Sequence, residues 1–196
     1  EKHAYTEYHL HVLKTLASYT VIAIENARNY ERMEKEVAMR TTDLTRISVL
    51  GKQITSQLTI EGINTVLYEG LNEMMDAPSF GIGIFDPEDE AISFPGYIEE
   101  GKRLTGSYFK ISEHDRMAVV CFNKELEVLI GDFQSEHGKY ITYNPKPKAG
   151  RAVTSLIYLP LKIKDRKIGV ITVQSFNKHA FKEYHMNILK GLAAYV

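Results

Sequence analysis

Cysteine is nearly absent, with Cys121 the only one in 196 residues. That excludes a disulfide framework within the chain and any all-cysteine zinc site, and it fits a reducing compartment. An excess of one charge is missing too. Basic residues number 24 and acidic ones 25, for a net charge of -1. Nucleic-acid and membrane-surface binders usually carry a strong basic excess, so neither partner is expected. No apolar run approaches the roughly 18 residues that a bilayer span needs, and no secretory signal is recognisable. The expectation is a cytoplasmic fragment, with any membrane anchor of a parent protein lying outside it. Finally, no proline and only one glycine, Gly51, fall between Tyr8 and Leu58.

That stretch is rich instead in Ala, Glu, Arg, Leu and Met, and it predicts one long helix of about 75 Å if continuous. Steps of alternately four and three run through Val12, Leu16, Tyr19, Ala23, Asn26, Tyr30, Met33, Val37, Arg40, Leu44, Ile47, Gly51, Ile54 and Leu58. This is a heptad seam, expected to join two copies as a homodimer. Asn26, Arg40 and Gly51 interrupt it, and such positions lower stability while fixing register. A helix lying on its own domain is the competing reading.

The two ends of the chain resemble each other. Lys2–Thr20 reads KHAYTEYHLHVLKTLASYT and Lys178–Val196 reads KHAFKEYHMNILKGLAAYV, with eleven identical residues. Repetition of this kind implies tandem domains of one type, with the tail of one copy followed by the next. The first copy continues into VIAIENARNYERMEKE, so the chain is expected to be a piece of a longer protein.

Between the repeats, Ile60, Ile63, Leu67, Leu71 and Met74 share a helical face over 60–76, with Thr59 placed to cap it. Phe80, Ile82 and Ile84 alternate with Gly81 and Gly83 as a strand. The run Asp86–Glu90 turns the chain into a second strand over Ala91–Ile98, and residues 100–103 turn it again into a third near Ser107–Ile111. Ser112 and Asp115 form a capping-box pattern before a helix carrying Met117, Val120 and Cys121. Leu126–Ile130 reads as a short strand and Asp132–Gly150 as a long polar loop. Val153–Lys162 and Lys167–Ser175 flank a polar turn as an antiparallel hairpin. The pattern is α+β with one mostly antiparallel sheet.

The segment from Ser155 to Val196 resembles the closing hairpin and helix of a GAF domain. It supplies Pro160-Leu161, Ile168-Gly169-Val170 and then Phe181 with Glu183 ahead of the last helix. The resemblance covers roughly residues 42–196, and residues 2–29 resemble the end of a preceding GAF domain. It implies a central antiparallel sheet of five or six strands flanked by helices and enclosing a small-molecule pocket. It also implies three parts: 1–29 as the closing helix of a preceding domain, 30–58 as a coiled-coil signalling linker helix, and 59–196 as the second GAF domain of a tandem pair. The module is expected to be non-catalytic and sensory, in a bacterial-type signalling protein such as a sensor histidine kinase. A structural dimerising spacer without ligand is the alternative.

Fold does not fix function, and each subclass of the family leaves marks. Bilin-binding members use a cysteine usually followed by histidine, whereas Cys121 precedes Phe122 on an apolar helical face. Cyclic-nucleotide members carry a dispersed Asn-Lys-Phe-Asp-Glu motif. Asn177, Lys178, Phe181 and Glu183 resemble part of it, but His185 and Met186 stand where further acidic residues belong. Free methionine sulfoxide reductases of this fold need a resolving thiol, and one cysteine is too few. His114-Asp115-Arg116 lacks the leucine and proline of a kinase phosphoacceptor site. His9 and His11 point about 200° apart on a helix and cannot share a metal ion. No catalytic set and no cofactor are expected.

The one local charge bias is the loop bearing Lys139, Lys146, Lys148 and Arg151, whose Gly138, Pro145, Pro147 and Gly150 suit a lid. If a small-molecule ligand binds, its pocket is expected between the sheet and the segment 113–150. Its candidate lining is Phe80, Ile82 and Phe94 on the first strands, Met117 and Cys121 on the helix, Tyr143 on the loop, and Tyr158 and Thr172 on the hairpin. No polar constellation stands out among them, and the sequence names no ligand.

Overall fold

The computed structural model describes residues 5–104, 106–143, 146 and 150–196. The stretch without breakers forms a single continuous helix of 49 residues, Glu7–Thr55 (α1). No helix among the described residues is long and apolar enough to cross a membrane. By its contacts the chain divides into two compact units, Glu1–Arg46 and Ile47–Val196. In the first unit, apolar side chains along α1 stand in solvent, among them Leu16, Tyr19, Met33 and Val37.

In the second unit, Thr59 adopts an extended conformation and its hydroxyl accepts from the Gly62 N–H at 3.1 Å. This cap starts α2, Ile60–Asn72. The alternating run that follows becomes β1, Ser79–Asp86, and the Asp86 carboxylate accepts the Glu88 N–H at 2.9 Å to shape the turn after it. The strand expected over Ala91–Ile98 is two strands, β2 (Ala91–Ser93) and β3 (Ile98–Glu99). Pro95 and Gly96 explain the break: proline has no N–H to donate, and Gly96 sits at φ +67°. Where a turn was expected at 100–103, Lys102–Arg103 forms a short β4, and β5 is Tyr108–Lys110.

The helix α3 spans Met117–Lys124, and its N-cap is Arg116, which makes no side-chain cap bond. The expected capping box at Ser112 and Asp115 does not form, because the Asp115 carboxylate accepts the Thr142 N–H at 2.8 Å instead. After β6 (Val128–Ile130), the expected loop contains a turn of helix, α4 (Phe133–Glu136). It is fastened by Glu136, whose carboxylate accepts the N–H groups of Gly131 and Asp132 at 3.0 and 2.9 Å. The hairpin is β7 (Ser155–Ile163) and β8 (Arg166–Ser175), and the repeated segment closes the chain as α5, Glu183–Ala193.

All strand pairs are antiparallel, and the order across the sheet is β4-β3-β1-β8-β7-β6, with β2 beside the far half of β1 and β5 beside β2. At the centre, Gly169 of β8 lies opposite Ile84 of β1. A Cβ on Gly169 would land on the backbone carbonyl of Gly83, so this close approach requires glycine. Each face of the sheet is covered. Phe80, Ile82, Ile157, Leu159, Ile171 and Val173 form one core with the end of α1, α2 and α5, burying Ile54, Leu67, Leu71, Leu189 and Leu192. Ile92, Phe94, Val128, Leu156, Tyr158 and Val170 form the other with α3.

Candidate functional site

Strand alternation decides which residues can meet a ligand. On β1 the bulky side chains Phe80 and Ile82 turn toward α1, α2 and α5, so the sequence-based assignment of both to the pocket is corrected. The opposite face of β1 presents Gly81 and Gly83. Their missing side chains leave room for Tyr97 and Phe94, since a Cβ on Gly83 would come within 2.6 Å of the Phe94 ring. Phe94 packs edge-on against Tyr97 and Phe109, with ring centroids 6.1 and 5.9 Å apart. Phe94, Met117, Cys121 and Tyr158 do share one buried cluster between the sheet and α3.

Beside this apolar group lies a hydrogen-bonded set of buried polar side chains, of which only Tyr158 and Thr172 are among the sequence-based candidates. The Gln174 side-chain amide donates to the Tyr158 hydroxyl at 2.9 Å and to the Thr172 hydroxyl at 3.1 Å. Thr172 in turn donates to the carbonyl of Ile157 at 2.8 Å. The hydroxyls of Ser79 and Tyr97 are 2.5 Å apart. Burial pushes the Tyr97 phenol up to about 12, with the Glu99 charge adding and the Ser79 hydrogen bond opposing. Burial likewise raises Tyr158, helped by Tyr97 and Cys121. Both phenols stay protonated at neutral pH and well above it. Period-2 alternation was the available signal: Thr172 and Gln174 share a face, as do Ser79 and the two glycines.

The rim of the cluster is set by charge. The Glu99 carboxylate, itself buried, accepts the Arg151 N–H through both oxygens at 3.1 Å. The Arg151 guanidinium donates to Glu100 at 2.9 Å and lies 4.1 Å over the Phe176 ring. Arg116 donates to the carbonyl of Lys146 at 2.8 Å. Of the basic loop, Arg151 and Lys146 are thus tied down by the neighbouring segments, and Lys139 pairs with Glu136 at 3.0 Å. Lys148, Pro145 and Pro147 lie outside the described residues. Tyr143 is exposed.

Cys121 is fully buried, and burial raises its thiol well above the usual range, with the Glu127 charge adding. A thiol so placed is protonated and a poor nucleophile. Asn177 and Lys178 hold the turn into α5: the Asn177 amide donates to Asp76 at 2.9 Å and Lys178 pairs with Asp132 at 2.7 Å. Among the described residues no group of three His, Cys, Asp or Glu side chains is placed to hold a metal ion.

Of the seam residues, Val12, Leu16, Tyr19, Tyr30, Met33, Val37 and Leu44 are exposed. Ile54 is 1% exposed inside the domain's own core, and Ile47 packs against that core. Gly51 is a contact point with the Tyr195 ring rather than a weak position in a seam. Within α1 the exposed run of these positions therefore ends at Leu44, because α2 and α5 pack on the helix beyond it, and Leu58, also exposed, lies past the helix end.

Replacing Gln174 with leucine should cost about 1–3 kcal/mol, because the buried Tyr158 hydroxyl loses its donor. Adding Tyr158→Phe should recover part of that loss, read as a non-additive double-mutant cycle in urea unfolding. Full additivity would mean that the two groups do not act together.

Residues 57–196 match the model of the GAF domain family. No curated protein matches. Solved structures with the same fold include the GAF domain of an Acinetobacter phosphoenolpyruvate-protein phosphotransferase. It is 15% identical over 79% of this chain and 89% of that one, with a TM-score of 0.61. A free methionine-R-sulfoxide reductase from Neisseria meningitidis, solved with its substrate, is 15% identical over 76% and 82%, at 0.61. A methyl-accepting chemotaxis protein is 16% identical over 74% and 91%, at 0.59.

Proposed function

The chain belongs to the GAF domain family, and on that premise we propose that it is a non-catalytic sensory module of a signal-transduction protein. In this reading it is the second of two such domains in tandem, in a bacterial-type cytoplasmic protein whose output is a histidine kinase. Two copies join through α1, and the state of the pocket or of a neighbouring domain biases how the paired helices sit, which carries the signal onward.

The observation that carries this reading is the exposed stripe on α1. Between Tyr30 and Leu44 the exposed large apolar residues are Tyr30, Met33, Val37, Met39 and Leu44. All but Met39 fall within about 60° of the helix circumference, at 100° per residue, which is the narrow stripe of a coiled-coil seam. Arg40 interrupts it and pairs with Glu36 at 2.7 Å on the helix surface. In this reading the likeness in fold to a reductase is one of fold alone, since the 196 residues hold a single, buried thiol and no second cysteine to resolve a sulfenic acid.

A ligand would meet Tyr97, Tyr158, Thr172 and Gln174, a set of hydroxyl and amide groups over an aromatic floor. That lining suits a small polar molecule with an apolar part. One observation favours the spacer alternative: among the described residues no buried side-chain nitrogen or oxygen lacks a hydrogen-bond partner, so the polar set can satisfy itself. Native mass spectrometry of protein taken from cells under non-denaturing conditions separates the two. A bound small molecule that also raises the melting temperature, and fails to do so in Gln174→Leu, supports sensing. A dimer with no added mass and no thermal response supports the spacer.

A further inference from the structure

The start of α1 and the whole of α5 are the same element in different surroundings. Thr6 N donates to the His9 Nδ1 at 3.1 Å, and Lys182 N donates to the His185 Nδ1 at 3.0 Å. The Tyr5 ring lies 6.3 Å from His9 and the Phe181 ring 6.2 Å from His185, both edge-on. Tyr8 and Tyr184 each meet the following histidine at interplanar angles of 65° and 64°. The sequence repeat is therefore also a repeat of cap geometry.

What differs is burial. In α5, Met186, Ile188, Leu189 and Leu192 are all at most 5% exposed, packed on the sheet face of Phe80, Ile157 and Val173. Their counterparts in α1 are Leu10, Val12, Leu13 and Leu16, exposed by 52%, 37%, 66% and 57%. These four positions span about 160° of the helix, at 100° per residue. A stripe that wide suits a flat apolar layer and exceeds what a two-helix seam covers.

We infer that the face of α1 formed by Leu10, Val12, Leu13 and Leu16 docks on the apolar sheet face of a preceding domain of the same fold. This rests on the tandem reading given above and deepens it, because it divides the seam between two tasks. Val12 and Leu16 belong to the docking face, as Ile188 and Leu192 do in α5, and pairing of two copies is left to the narrow stripe from Tyr30 to Leu44. The helix is thus the closing element of one domain and, further on, the connection between two chains.

Hydrogen exchange read by mass spectrometry tests the docking. In the 196-residue chain, amides of residues 8–17 should exchange rapidly, and in the full-length gene product at least a hundredfold more slowly. Leu13→Asp in the full-length protein should abolish that slowing and destabilise the preceding domain, while the melting of the domain from Ile47 to Val196 stays unchanged. A gene product with no sheet domain ahead of residue 5 would overturn the tandem reading and the docking together. A preceding domain that is present, with residues 8–17 as fast as in the shorter chain, would overturn the docking alone. Slowing that appears in the 196-residue chain and grows with its concentration would assign the face to a second copy, and would equally overturn it.

Discussion

Gly169→Ala should leave the domain from Ile47 to Val196 largely unfolded at 37 °C. The added methyl would land on the Gly83 carbonyl in the middle of the β1–β8 ladder, with Ile84 backbone directly behind it. Neither neighbour is the flexible end of a side chain, so relief requires two central strands to separate. The expected cost is at least about 4 kcal/mol, in the range where single substitutions are exceptional and comparable with the whole stability of a typical domain. Circular dichroism and amide dispersion in NMR give the readout. Gly138→Ala is the control, because a Cβ there meets nothing within 4 Å. A melting temperature within a few degrees of the parent chain would show that the sheet centre is looser than the packing indicates.

The second large effect concerns association. Met33→Asp with Val37→Asp should turn the proposed dimer into a monomer without altering the domain's own melting. Both residues are more than 60% exposed on α1 and belong to neither core, so the folded domain loses nothing. In a paired seam, each would be buried against the partner. Burying a side chain of this size contributes about 1.5–3 kcal/mol. Losing two per chain costs at least about 4 kcal/mol, roughly a thousandfold in dissociation constant. Sedimentation equilibrium measures it. An unchanged dimer would place the contact elsewhere on the surface.

The sequence was most legible where a single local rule decided the outcome. Thr59 capped α2 and the absence of breakers gave a continuous α1. Gly169 and its neighbours marked the hairpin strand that the family resemblance pointed to. It was least legible where the outcome depended on a partner distant in the chain. Asp115 stood three residues after Ser112 in a capping pattern, yet its carboxylate was taken by Thr142. Ile54 and Gly51 kept heptad spacing, yet α2 and α5 fold back on that end of α1 and claim both residues.

The site shows the same division. Phe80 and Ile82 are pocket candidates by sequence, yet they alternate with Gly81 and Gly83 and lie on the face that packs against α1, α2 and α5. Gln174 is not among the residues that the sequence offers for the pocket. Its importance comes from Tyr158 on the neighbouring strand, which only the β7–β8 register brings within 2.9 Å. Tyr97 and Glu99 reach the same area from an irregular edge whose strands are two residues long, too short for any periodicity to reveal.

The most direct measurement of the account is disulfide cross-linking at residue 33. The only native thiol, Cys121, is fully buried, so Met33→Cys adds the one thiol open to oxidation. We take the α1 helices of the proposed dimer to pair in parallel and in register, which brings this position opposite itself. The account predicts rapid, nearly complete conversion of Met33→Cys to a covalent dimer, and little conversion of Lys35→Cys, which lies about 200° around the helix. Equal rates for the two variants, or no covalent dimer from either, would contradict it.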